Sequence, residues 1–486
     1  MDWLIGPEYW LARLVFQRLL GLVYFVAFLS AFNQFPALVG ERGLLPAPRY
    51  LRALGFRRAP SLFHLRFSDR FARGVAAIGL ALSAAVIAGA LDHVPLIAAM
   101  VVWAALWLLY LSFVNAGQTF FGFVWETLLV ESGFLAIFLG NGRAAPLLPS
   151  IFVLRWLLFR LEVGAGLIKL RNDQAWRNLT ALYYHHETQP LPNGLSAWFH
   201  RLPRRVHKLE TLGNHIAQLV VPFGLFLPQP FASIAGTVIV LTQLWLMASG
   251  NFAWLNVLTL TLAVTAFDNS SLGRVLPVHV PTVETPPTWF TAVVIAMTFS
   301  IIALSWKPVR NMVSARQVMN ASYNRLHIGN SYGLFGRVTR DRLEVIIEGT
   351  DHAHPDAHAT WKAYEFKAKP GDVRRRPRQV APYHLRLDWL MWFAALSPMY
   401  AQGWFVELVG KLLRNDPQTL RLLRTNPFPH GPPRYIRVHQ YRYWFATRAE
   451  RRASGAWWQR ELIGEYLPPV TLRGTTAPGD RATSSD

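Results

Sequence analysis

Residues 151–192 read IFVLRWLLFRLEVGAGLIKLRNDQAWRNLTALYYHHETQPLP, and the first half of that stretch decides the fold class. It is apolar over enough residues to cross a bilayer, yet it carries Arg155, Arg160, Glu162 and Lys169. A charge held inside a membrane costs several kcal/mol unless it has a partner or a wet cavity. At about 100° per residue, Arg155, Glu162 and Lys169 lie seven apart and share one helix face. The preceding apolar run, Thr119–Gly140, supplies Glu126 and Glu131 as counter-ions. The expectation is that Arg155, Glu162 and Lys169 turn toward Glu126 or Glu131 inside a helix bundle. Such an intramembrane polar cluster either locks the bundle in register or forms an ion, substrate or catalytic site.

Working outward, the same apolar character dominates residues 1–306. Runs of spanning length cover Trp10–Phe32, Val75–Leu91, Pro95–Val114, Thr119–Gly140, Pro149–Lys169, His215–Leu227, Phe231–Ser249, Phe252–Phe267 and Trp289–Trp306. Several fall short of the ~20 residues a perpendicular helix needs, so the count predicted is eight or nine spans. Of the 486 residues 52% are hydrophobic and 16% charged, the balance of a membrane protein. The formal charge of +21 then reads as basic loops on anionic lipid head groups. No basic, aromatic-interleaved module points to nucleic acid. The chain has no cysteine, which excludes disulfides, zinc thiolates and thiol chemistry of its own. Glu41–Arg73 holds eight arginines, and with Arg171–Gly213 and the region after Trp306 it falls on one membrane side. Charge bias alone makes that side cytoplasmic.

From Asn311 the periodicity changes to that of a water-soluble domain. Phe335–Gly349, Trp361–Ala368 and Arg434–Thr447 read as strands, while Leu387–Leu396, Trp404–Arg414 and Gln418–Arg424 are apolar or helically spaced, the last opened by Asp416 and Pro417. The organisation expected is a polytopic α-helical membrane bundle over 1–306, a soluble α+β domain with a small antiparallel β-sheet over 307–472, and a disordered tail over 473–486.

Four motifs carry possible chemistry. Gly329-Asn330-Ser331-Tyr332-Gly333 matches G-x-S-x-G, but polar residues precede the serine and a strand follows, so a tight turn fits better than a nucleophile elbow. Asp351, His352, His354, Asp356 and His358 crowd one loop and read as solvated, with a metal site the sharper alternative. Tyr183, Tyr184, His185, His186 and Glu187 sit just past the charged helix, where histidine suits proton transfer and aromatic residues suit interfacial anchoring. Arg374, Arg375 and Arg376 suit lipid phosphate or an acidic protein surface, and equally a solvated loop or structural ion pairing. The aromatic residues Trp389, Trp392, Phe393, Trp404, Trp457 and Trp458 are either core or an apolar contact face.

RWLLFRLEVGAGLIKLRND, YYHHETQPLPN, NSYGLFGRVTRDRLEVIIEGT, YEFKAKPGDVRRRPRQVAPYHLRLDWLMWFAAL and LLRNDPQTLRLLRTNPFP together resemble the lipase maturation factor family. The likeness runs from the first span to Leu472 and rests on Arg155, Glu162, Lys169, His185, Glu187, Asn330, Tyr332, Gly333, Glu348, Gly349, Tyr383 and Trp389. It implies a multi-pass membrane protein, in the endoplasmic reticulum of eukaryotic relatives or the cell membrane of a bacterial one. Its soluble domain would help secreted lipases or other exported clients fold and assemble, with membrane lipid as the other partner. The resemblance implies no catalytic residues, cofactor or metal. More loosely, the membrane half is similar to the bundle of vitamin K-dependent carboxylase-like proteins. The alternative function is therefore a membrane-embedded enzyme using the 151–170 helix and His185 or His186.

Overall fold

The computed structural model describes residues 2–356 and 358–472, so the expectation for the 473–486 tail lies outside the described residues. These residues form two compact units, one of residues 2–342 and 376–390, the other of residues 343–375 and 391–472. Residues 307–342, which the change of periodicity assigned to the C-terminal domain, group with the first unit.

The first unit is helical. Five of its helices are long and apolar enough to cross a membrane: Pro7–Val39, Asp69–Ala88, Leu96–Ala116, Phe231–Ser249 and Thr288–Val313. Their ends follow local chemistry. Ser68 caps the second by accepting the Phe71 N–H at 3.1 Å, and Gly89, at φ +93°, closes it. The Trp10–Val39 and Asp69–Ala88 helices pack closely because Gly79 leaves room for the Phe28 ring, 2.5 Å from where a Cβ would stand. Phe35, Phe63, Phe113 and Phe121 then stack edge to face beside that contact, with Phe35 and Phe113 4.9 Å apart. Each such pair adds about 0.5–1.5 kcal/mol beyond burial.

Eight or nine spans were expected, and the four other expected segments are short, broken or charged. Thr119–Gly140 folds as a 3-10 turn and a 13-residue helix, Val124–Ala136. His215–Leu227 is the end of the Arg204–Leu219 helix plus a 3-10 segment, Val221–Phe226. Phe252–Phe267 breaks into Leu255–Ala263 and a 3-10 turn, Val264–Ala266. Leu148–Asn172 has 25 residues, but its polar side chains turn into protein. Short broken helices expose backbone carbonyls at their ends, and these carbonyls become partners for the charged side chains below.

The second unit carries a four-stranded sheet of order β2-β1-β3-β4, where β1 is Arg342–Thr350, β2 Lys362–Ala363, β3 Tyr435–Phe445 and β4 Trp458–Val470. The β1–β2 and β3–β4 pairs are antiparallel, with Glu348 opposite Ala363 and Tyr441 opposite Leu462. Helix Phe405–Leu413 buries Leu408, Val409 and Leu412. Within the same unit Lys369 and Glu344 form a fully buried pair at 2.9 Å, and Arg375 pairs with Glu365 at 3.0 Å.

Candidate functional site

Three buried polar groups in the first unit hold the charged side chains singled out in the sequence, and a cavity adjoins one of them. At Glu131, on Val124–Ala136, one oxygen takes hydrogen bonds from Arg160 and the Gly329 N–H (3.0 Å). The other accepts from Asn330 N (3.2 Å), Asn330 Nδ2 (2.8 Å) and the Tyr332 hydroxyl (2.6 Å). Gly329, at φ +71°, turns the chain so that successive amides converge on the carboxylate. Gly164 makes the approach possible, since a Cβ there would stand 2.2 Å from the Tyr332 carbonyl. Gly333 has negative φ, and close packing is what requires it: a Cβ would meet the Met319 carbonyl at 2.5 Å. Ser331 bonds the Tyr323 hydroxyl at 2.7 Å and pairs its backbone with Ala321. It has neither the strand before it nor the base beside it that a nucleophile elbow needs.

Glu126, five residues earlier, pairs with Arg386 and takes a hydrogen bond from Tyr110. His384 Nδ1 lies 3.3 Å from the same carboxylate and accepts from Trp125 Nε1. Burial, and then the Arg386 charge, hold the His384 imidazole down to about 4. Trp389 packs edge-on to Trp125 at 4.8 Å, and Tyr383 accepts from Asn33 at 3.2 Å.

The shared face of Arg155, Glu162 and Lys169 is buried, but its partners are not Glu126 or Glu131. Arg155 donates to the carbonyls of Thr265 (2.9 Å) and Leu225 (3.1 Å), both in 3-10 segments that interrupt the bundle. Lys169 donates to Asn214 and Gln218 at 2.8 Å each, and Gln218 and Gln243 donate to Glu162 at 3.1 Å. The Gln218 amide thus lies between Lys169 and Glu162. Only Arg160, off that face, meets one of the expected glutamates.

Glu162 and Lys169 form one wall of a cavity of about 570 Å³ that is otherwise lined mainly by apolar side chains such as Leu161, Val238, Leu246 and Phe252. His185, His186 and Glu210 also reach it. His185 lies flat on Phe252, and burial, then the His186 ring, bring it down to about 3. Tyr184 is half-buried under the Arg340 guanidinium, and the carbonyls of Glu187, Gln189 and Pro190 are taken by Arg342. Glu210 accepts from Trp245 Nε1 at 2.9 Å on one oxygen and lies 3.0 Å from His207 Nδ1 on the other. His207 and Glu210 were missed in the sequence. Their signal was the i, i+3 spacing in RVHKLE, hidden inside a basic run.

In the second unit Glu348 pairs with Arg437 at 2.9 Å, and Gly349 leaves room for the Phe428 ring. Arg375 is half-buried and tied to Glu365 and the Phe366 carbonyl, so structural pairing describes it. Trp404 and Trp458 are core, as is Trp389 in the first unit, while Trp392, Phe393 and Trp457 are half-buried. Asp351, His352, His354, Asp356 and His358 are exposed. Among the described residues, the metal-type side chains that converge are instead His186, His207 and Glu210.

A family model described as the lipase maturation factor transmembrane domain matches residues 11–274, and one described as the lipase maturation factor C-terminal domain matches residues 328–468. Lipase maturation factor 1 of Bos taurus is 42% identical across 96% of this chain and 90% of its own length. The Homo sapiens protein of that name is 40% identical, covering 96% and 88%. Lipase maturation factor 2 of Homo sapiens is 30% identical, covering 96% and 83%. No solved structure matches. The carboxylase-like enzyme alternative gains no support from these matches.

Proposed function

The chain belongs to the lipase maturation factor family, and from that premise we propose that it is a multi-pass membrane protein that helps secreted lipases reach their folded, assembled state. The observation that carries this reading is the likeness to lipase maturation factor 1 over 96% of the chain, with both family domains present. The buried polar groups support a role without chemistry of their own. Glu131 is saturated by five donors and Glu126 by Arg386 and Tyr110, so they act as pins that hold the bundle in register.

The client meets the second unit. Support comes from its exposed apolar side chains: Val406 is 74% exposed, Leu462 54% and Ile463 52%. Leu462 and Ile463 lie on β4, one of the two edge strands of the sheet, where an extended segment of an unfolded client can add by main-chain pairing. The test places a photo-crosslinking residue at Val406, at Ile463 or at exposed Arg448 in the full membrane-embedded chain, with a secreted lipase co-expressed. Crosslinks to the lipase from the first two positions and not the third support the proposal. Equal or no crosslinking at all three contradicts it.

A further inference from the structure

We propose that His186, His207 and Glu210 bind one divalent transition-metal ion of the zinc class at the edge of the cavity. The three ligand atoms lie within 4.8 Å of one another. His207 Nδ1 is 3.0 Å and His186 Nε2 3.9 Å from the same oxygen of Glu210. Zinc bonds of about 2.0–2.1 Å in a tetrahedral site put neighbouring ligand atoms about 3.3 Å apart, so the widest pair closes by about 1.5 Å, less than about 1 Å from each side chain. Two imidazoles and one carboxylate are the donors such an ion takes when one position stays open.

The surroundings are those of ligands already aimed. Trp245 holds one Glu210 oxygen and leaves the other for the ion. The His200 carbonyl lies 3.4 Å from His207 Nε2. Accepting from that N–H leaves Nδ1 with its lone pair turned on the carboxylate, an arrangement that calls for a cation between them. His186 is the independent witness. It is 2% exposed, yet neither ring nitrogen makes a hydrogen bond among the described residues. A buried imidazole without a hydrogen-bond partner is costly, and an ion at Nε2 supplies the missing ligand. His186 and Glu210 both line the cavity, so the open coordination position faces it. The ion would also pin Leu182–Thr188 to Arg204–Leu219.

The experiment uses the full chain in detergent, with His352, His354 and His358 replaced by alanine to remove exposed imidazoles. After chelator treatment, Co²⁺ is titrated as the probe and its visible absorption followed, then Zn²⁺ is added in competition. Expected are one equivalent of Co²⁺ with the strong absorption of low coordination number, displacement by Zn²⁺, and loss of both in His207→Gln. Trp245→Phe keeps every ligand and should weaken binding about 10- to 100-fold, the usual effect of removing an outer hydrogen bond. A folded chain that takes up no stoichiometric Co²⁺ or Zn²⁺ overturns the proposal and leaves a proton in place of the ion. Binding unchanged in His186→Gln, His207→Gln and Trp245→Phe also overturns it.

Discussion

Replacing Glu131 with glutamine tests whether the buried carboxylate holds the bundle. In the folded chain one oxygen receives Arg160 and the Gly329 amide, and the other receives two nitrogens of Asn330 and the Tyr332 hydroxyl. A glutamine amide has one acceptor oxygen, so its NH₂ must face donors on one side, and the fully buried Arg160 loses its counter-ion. Breaking one partner of a buried pair costs about 3–5 kcal/mol, on the order of 10²–10⁴ in the folding equilibrium. Denaturant-titrated unfolding in detergent, read by intrinsic tryptophan fluorescence, measures that loss. Glu131→Gln with Arg160→Gln should recover about 1–3 kcal/mol relative to the summed single changes, because the two sites share the interaction. A loss below about 1 kcal/mol in the single variant, or strict additivity in the pair, would refute the pin.

Three further outcomes follow from the same geometry. Gly164→Ala should destabilise by about 1–3 kcal/mol, since its Cβ would press on the Tyr332 carbonyl, and a thermal midpoint equal to wild type counts against that contact. Ser331→Ala should cost about 1 kcal/mol, the Tyr323 hydrogen bond, and the wild-type serine should not react with a fluorophosphonate probe; labelling would restore the hydrolase reading. His384 and His327 are both held to about 4, by burial first and for His384 then by Arg386, against about 6.5 when unfolded. Above pH 6.5 both states carry neutral rings; as pH falls from 6.5 toward 4 only the unfolded chain gains protons. The thermal midpoint should therefore drop between pH 7 and pH 5, less steeply in His384→Gln, and a flat profile would contradict the assignment.

The sequence showed that charges on Leu148–Asn172 had to be buried, because spacing fixes which residues share a face. It did not show their partners. Arg155 meets carbonyls exposed where helices break at Leu225 and Thr265, and an apolar run does not announce a break. Glu126 finds Arg386 across 260 residues, beyond any local pattern. In the second unit the aromatic alternation of Arg434–Thr447 and the Asp416 cap read correctly, the latter accepting Thr419 N at 2.8 Å. β4 was missed: WQRELIGEYLPPV carries charges and paired prolines, and its exposed edge position lacks the buried alternation that marks a strand. Of Phe335–Gly349 only the part from Arg342 is strand, since Phe335 adopts φ +51°. Trp361–Ala368 shrinks to the two-residue strand Lys362–Ala363 and a bridge from Glu365 to Thr425, although Tyr364 and Phe366 are buried as their alternation required.

The most direct test of the maturation role is to co-express a secreted lipase with either the full chain or a chain lacking residues 425–486, which removes β3 and β4. Membrane insertion and the specific activity of secreted lipase are measured separately. The full chain should raise lipase activity, and the truncated chain should insert normally and fail to raise it. Equal lipase activity with the truncated chain, or none with the full chain inserted, would contradict the account.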